Sequence, residues 1–218
     1  MYVLQFTKIM NLQKLNQAEE DFLYQYPGGF ENPEMVEVRK KHKLDKMIEM
    51  TQDAFMKRNF NLPDLIVDHM VKIITRSSLI SVFEKPRFKD FAYSLSPDER
   101  KILAKGLEQF LHGDEQDGFG IILDVLQKGK LAKWSLMTVC PAYYRPGTEV
   151  FIKPTTTKYV INYFELNHLH YHPRPNWEFY KDYRAAINEM KSHVEESLSR
   201  YNIGFTGFLM RSMPGRSY

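Results

Sequence analysis

Over the first 128 residues, apolar side chains recur at helical spacing in one segment after another, and prolines and glycines punctuate the runs. A chain patterned this way buries its apolar stripes by packing helices together. Leu12, Leu15, Phe22, Leu23 and Tyr26 form the first stripe. Pro27, Gly28 and Gly29 close it, which predicts a helix over about 11–25. Asn32, a capping residue with Pro33 at the first helical position, opens the next segment; Leu44, Met47, Ile48, Thr51 and Phe55 follow as the stripe of a helix or broken helix pair. Its basic run, Arg39 to Lys43, reads as solvated surface. After Pro63, Leu65, Ile66, His69, Met70, Ile73 and Ile74 line one face, with His69 a core or boundary group. Ser96, Pro97, Asp98 and Glu99 then spell a capping box. It predicts a helix over 97–112, ended by Gly113 in a left-handed conformation. Asp114, Glu115 and Asp117 do not make a calcium loop, because the twelfth position from Asp114 is Val125 rather than a bidentate glutamate. Asp114 to Gly120 reads as an acidic loop or a helix start, and Phe119, Ile122, Leu123 and Leu126 suggest a further helix that ends at Gly129.

Beyond Gly129 the chain turns aromatic and proline-punctuated. Glu149 to Lys153 reads as a short strand, Thr155 to Phe164 as a helix, His168 to His172 as a second strand, and Trp177 to His193 as a long helix. The tail from Ser197, with Gly204, Gly207, Pro214 and Gly215, is expected to be irregular, its Phe205, Phe208, Leu209 and Met210 tucked against the core. The fold class is therefore mainly α, with a small β element over about 149–172. At 218 residues and 43% hydrophobic, the chain suffices for one compact domain over 1–218, with a possible subdivision into a helical part, 1–129, and a mixed basic and aromatic part, 130–218.

A single cysteine, Cys140, excludes an internal disulfide framework and any multi-cysteine metal site. The first residues, MYVLQFTKIMNLQKLNQ, lack the basic and apolar regions of a secretory leader, and no uncharged stretch is long enough to span a bilayer. A cytoplasmic protein without a membrane partner is expected. The net charge of +3 is divided unevenly: residues 1–129 hold 18 Lys/Arg against 20 Asp/Glu, and residues 130–218 hold 12 against 7. An anionic partner should favour the C-terminal half.

The strings FEKPRFKDF (83–91), KLAKWSLMT (130–138), PAYYRPGTEVFIKPTTTK (141–158) and NIGFTGFLM (202–210) resemble a bacterial protein family of uncharacterised function, over about Pro27 to Met210. The resemblance implies a bacterial, intracellular origin. It brings no activity, cofactor or catalytic residue.

His168, His170 and His172 alternate, so an extended backbone places all three on one face as candidate metal ligands, with Glu165 nearby. Same-face neighbours on one strand stand nearly 7 Å apart, which opposes convergence on one ion. Cys140 has no adjacent histidine to activate it and reads as a buried structural thiol. Nucleophile-elbow, phosphate-loop, dinucleotide-binding and His-Glu-x-x-His signatures are lacking, so an enzyme is disfavoured and no cofactor is expected. What remains is basic and aromatic. Arg145, Lys153, Lys158, Arg174 and Arg184 could neutralise phosphates while Tyr144 and Trp177 stack on bases. Thr155 and Thr156, at a helix start, could offer backbone amides to an anion. The expected function is a non-catalytic binding protein that engages nucleic acid or another anionic ligand through its C-terminal half. The alternatives are a metal-assisted hydrolase at the histidine cluster and a protein-interaction module.

Overall fold

The structure, a computed structural model, describes residues 10–211. These residues form α1 (Leu12–Gln25), α2 (Pro33–Lys41), α3 (Leu44–Ala54), α4 (Pro63–Arg76), α5 (Glu84–Ser94) and α6 (Pro97–His112), then α7 (Glu115–Lys128), α8 (Trp134–Tyr144), α9 (Pro154–Tyr163), α10 (Trp177–Ser192), α11 (Glu196–Ser199) and α12 (Asn202–Arg211). No strand occurs among the described residues, and no helix there is long and apolar enough to cross a membrane. The residues before Met10, and Pro214 and Gly215 of the expected irregular tail, lie outside the described residues.

The helix starts follow capping chemistry. Asn11 Oδ1 accepts from the Lys14 amide at 3.2 Å, and Asn32 Oδ1 accepts from the Glu34 amide at 3.0 Å. Ser96 Oγ accepts from the Glu99 amide while the Glu99 carboxylate accepts from the Ser96 amide at 3.0 Å, completing the expected capping box. Asp114, the acid of the rejected calcium loop, caps α7 by accepting from the Asp117 amide at 2.9 Å. The broken pair after Pro33 is α2 and α3, separated at His42 and Lys43, where Lys43 adopts a left-handed backbone with φ of 52°. Gly113 departs from expectation: its φ of −139° is not left-handed, and its amide simply closes the last turn on the Gln109 carbonyl.

At the centre lies α8, which the sequence pattern did not reveal. Trp134, Leu136, Met137, Thr138, Val139, Cys140, Ala142 and Tyr143 are all buried, so the helix has no polar face to give it periodicity. It packs against α3, α4, α6 and α7, so the two halves of the sequence share one core. Pro141 sits inside it, tolerated near the C-terminal end even though its nitrogen has no hydrogen to donate. α5 was also unmarked. Pro86 falls in its first turn, where a missing N–H leaves no bond unmade, and Phe88 and Ala92 anchor its inner face.

The expected β element is not formed. Residues 149–153 are extended and carry Val150 and Ile152 into the core, but no second strand pairs with them; the Ile152 amide donates instead to Thr138 Oγ1 at 3.0 Å. His168 lies in a turn closed by the Leu169 amide on the Leu166 carbonyl, residues 169–172 form no helix or strand, and the His172 carbonyl accepts from Trp134 Nε1 at 2.7 Å. Side-chain hydrogen bonds from α8 thus do what a neighbouring strand would do in a sheet. The tail is likewise corrected. Residues 202–211 form α12, and its Phe205, Phe208, Leu209 and Met210 are buried as expected.

α6 and α7 form a closely packed hairpin. A Cβ at Gly118 would meet the Phe110 amide nitrogen at 2.2 Å and the Gly106 carbonyl oxygen at 2.7 Å, both backbone atoms that cannot swing aside. Gly120, two residues on in the same helix, faces open space. Gly118→Ala is therefore expected to destabilise the protein by about 1–3 kcal/mol in chemical denaturation through overpacking, whereas Gly120→Ala stabilises it by up to about 1 kcal/mol through helix propensity. Equal effects of the two substitutions would contradict this packing.

Candidate ligand-binding cleft

The C-terminal half places a carboxylate where the sequence suggested a strand residue. Glu149 is 2% exposed. Its Oε1 accepts from Arg184 Nη1 at 2.8 Å and Arg145 Nη1 at 3.4 Å, and its Oε2 accepts from the Tyr180 hydroxyl at 2.5 Å. Glu115, at the start of α7, accepts from Arg145 Nη1 at 2.9 Å and Arg184 Nη2 at 2.7 Å. Arg145 also donates to the Leu111 carbonyl at the end of α6. Two acids and two guanidiniums cancel, and the network joins α6, α7, α8 and α10.

Burial shapes the titration of these groups. Desolvation, reinforced by the Glu149 charge, pushes the Tyr180 hydroxyl well above its ordinary value. At Glu115 desolvation works upward, but hydrogen bonds and charge from Arg184 and Arg145 outweigh it and hold the carboxyl below its ordinary value. A carboxyl that titrates lower in the folded state stabilises fully above its unfolded value, and the contribution fades as pH falls through the folded value. Cys140, 2% exposed, has its thiol pushed up to about 12 by desolvation, which suits a packing role.

Of the cations singled out from sequence for an anion, Arg145 and Arg184 are held in ion pairs, while Lys158 and Arg174 are exposed and have uncharged partners. Trp177 packs its ring against Phe119 at 5.9 Å and lies under Arg184 at 5.7 Å. Tyr144 meets His112 edge-on at 5.4 Å, Arg174 donates to Gln127 Oε1 at 2.8 Å, and Lys158 sits over the Tyr171 ring at 5.0 Å. Thr155 and Thr156 occupy the first turn of α9, behind Lys153. His168, His170 and His172 are exposed around buried Leu169, so the alternation is real although the strand is not. Among the described residues, no group of three or more His, Cys, Asp or Glu side chains could hold a metal ion. Glu165, expected beside the histidines, pairs with Lys14 at 3.0 Å.

A concavity with a mixed apolar and basic lining lies elsewhere. A cleft of about 1040 Å³ opens between α2, the start of α3 and the α11–α12 tail. Phe30, Met35, Val38, Leu79, Ile203 and Phe208 contribute its apolar wall, and Tyr143 and Tyr201 add rings. The Tyr143 hydroxyl is satisfied by Ser77 Oγ at 2.9 Å, and His42 Nδ1 lies 2.9 Å from Ser78 Oγ. Arg39, His42, Lys153, Arg200 and Arg211 are the basic lining, against the carboxylates Glu31 and Glu196. Arg39 is already paired with Glu31 at 3.4 Å and Asp45 at 3.3 Å. Arg200 lies over the Tyr201 ring at 4.9 Å, Arg211 over Tyr26 at 5.9 Å. Neither they nor Lys153 pair with a carboxylate among the described residues.

Of the residues anticipated for an anion, only Lys153 lines this cleft. Arg39 and His42 were within the run read as solvated surface, and Arg200, Tyr201 and Arg211 were within the tail read as irregular; Gly204 and Gly207, which suggested irregularity, are helix positions of α12. No protein-family model, curated protein or solved structure matches the chain.

The network yields a direct expectation. Glu149→Gln should cost about 1.5–3 kcal/mol at neutral pH, because half-buried Arg145 and Arg184 and buried Tyr180 lose a charged acceptor and the two guanidiniums keep only Glu115 as counterion. Glu115→Gln should cost less and should flatten the loss of stability on acidification from about pH 7 to about pH 3. Denaturation midpoints across that range check both, and an unaltered acid limb in the Glu115 variant would contradict the assignment.

Proposed function

We propose that the protein binds single-stranded nucleic acid, with unstacked bases in the cleft between α2 and α12 and phosphates on its cationic rim. The observation that carries this reading is the composition of that one concavity. Aromatic and aliphatic walls are joined there by Lys153, Arg200 and Arg211, cations with no carboxylate partner among the described residues. Rings accept base faces irrespective of sequence, and Lys and Arg neutralise the backbone. The volume is ample for a base with its sugar, since small-ligand pockets span about 300–1,000 Å³. The anion-binding expectation for the C-terminal half is kept, but its residues change. Arg145, Arg184 and Trp177 hold the interior together, and Lys153, Arg200, Tyr201 and Arg211 take their place, with α2 of the N-terminal half as the opposite wall.

Short oligonucleotides are the probe. Binding should strengthen at low salt, with log K falling against log salt by about 0.7 for each phosphate neutralised. Arg200→Gln should reduce that slope, whereas Tyr201→Leu should keep the slope and lose about 1–3 kcal/mol if the ring stacks on a base. Fluorescence anisotropy over a salt series reads both effects. Binding of a long-chain carboxylate, with no oligonucleotide binding at low salt, would overturn the reading and assign the cleft to an acyl ligand.

A further inference from the structure

The cationic surface continues past the cleft. Lys46, Met47 and Met50 on α3, Lys43 just before it and Arg76 at the end of α4 line a second groove of about 450 Å³. No carboxylate lines it. The neighbouring cations Arg39 and Lys40 pair with Glu31, Asp45 and Glu37, but Lys43, Lys46 and Arg76 pair with no carboxylate among the described residues. Arg76 Nη1 rests 3.8 Å from Met50 Sδ, a weak acceptor that leaves its charge uncompensated. Three like charges around a concave, partly apolar surface concentrate positive potential, and an anion bound there relieves it.

The chain connects this groove to the cleft. Lys43 reverses the backbone between α2 and α3 in a left-handed conformation, with φ of 52°. Across that reversal His42 lines the cleft and Lys43 lines the groove. An extended polyanion leaving the cleft by His42 therefore meets Lys43 next, then Lys46 and Arg76. An isolated small anion would use either concavity alone; adjacency through a single peptide unit favours a ligand whose phosphates repeat.

We propose that this groove is a second phosphate subsite, which extends the cleft so that one nucleic-acid strand crosses the α2–α3 turn. The inference rests on the reading of the cleft as a single-strand site, and the test separates the two. Labelled oligonucleotides of about 4 and about 12 nucleotides, a range matched to known single-strand sites, are titrated by anisotropy in both deoxy and ribo series. The longer strand should bind about tenfold or more tightly, beyond the gain expected from its larger number of registers. Lys46→Gln and Arg76→Gln, at exposed positions, should abolish that gain while leaving the short strand's affinity and the far-ultraviolet circular dichroism unchanged. The tighter of the two series distinguishes DNA from RNA. The subsite is overturned if the short strand binds and the long one gains nothing, if the two variants weaken both lengths alike, or if polyglutamate of matched charge shows the same dependence on Lys46 and Arg76. Failure of the short strand to bind would instead remove the reading of the cleft.

Discussion

A carboxylate sunk to 2% exposure constrains much of the C-terminal half of this fold. Glu149 cannot remain charged in an apolar interior unless its oxygens are hydrogen-bonded and its charge is matched. Arg184 and Tyr180 supply those bonds from α10, Arg145 supplies another from the end of α8, and Glu115 balances the second guanidinium from α7. The four side chains thereby fix where α10 lies relative to the α6–α7 hairpin. They also anchor the extended 149–153 segment, whose Val150 and Ile152 fill the core beside α8. Whether such a network adds net stability over a well-packed apolar alternative is secondary; its directional bonds specify one arrangement of the helices it joins.

That arrangement determines which cations remain available for a ligand. Arg145 and Arg184 are spent within the network, and Trp177 is packed between Arg184 and the Phe119 ring. Of the cations that pair with no carboxylate among the described residues, Lys153, Arg200 and Arg211 line the cleft, whereas Lys158 and Arg174 lie outside it. A basic excess counted along the sequence does not say which cations are paired; ion pairing within the fold decides that.

The legibility of the sequence followed the same division between local and tertiary causes. Helices with one wet face were readable: α1, α4, α6 and α10 fall within a residue or two of their expected limits, because caps and apolar spacing are local properties. α8 was hidden because burial on all sides erases its period, and α5 because Pro86 resembles a break although it lies in a first turn. The expected strands show a further limit. Leu169 is buried and the three histidines are exposed, yet a strand also needs a partner, and here Thr138 and Trp134 supply the hydrogen bonds. In the site, Lys153 was legible as an exposed cation before a helix. Arg200, Tyr201 and Arg211 were not, because nothing local distinguishes a helix that closes a cleft from a glycine-containing tail.

The central claim is that Glu149 and Glu115 commit half-buried Arg145 and Arg184 to ion pairs within the fold, which leaves Arg200 and Arg211 for the proposed anion. Proton–nitrogen NMR of the arginine side chains, recorded before and after addition of a short oligonucleotide, tests this most directly. The account expects slowly exchanging guanidinium signals from Arg145 and Arg184 that do not move, and ligand-dependent shifts for Arg200 and Arg211. Shifts confined to Arg145 and Arg184, with those of Arg200 and Arg211 unchanged, would contradict it.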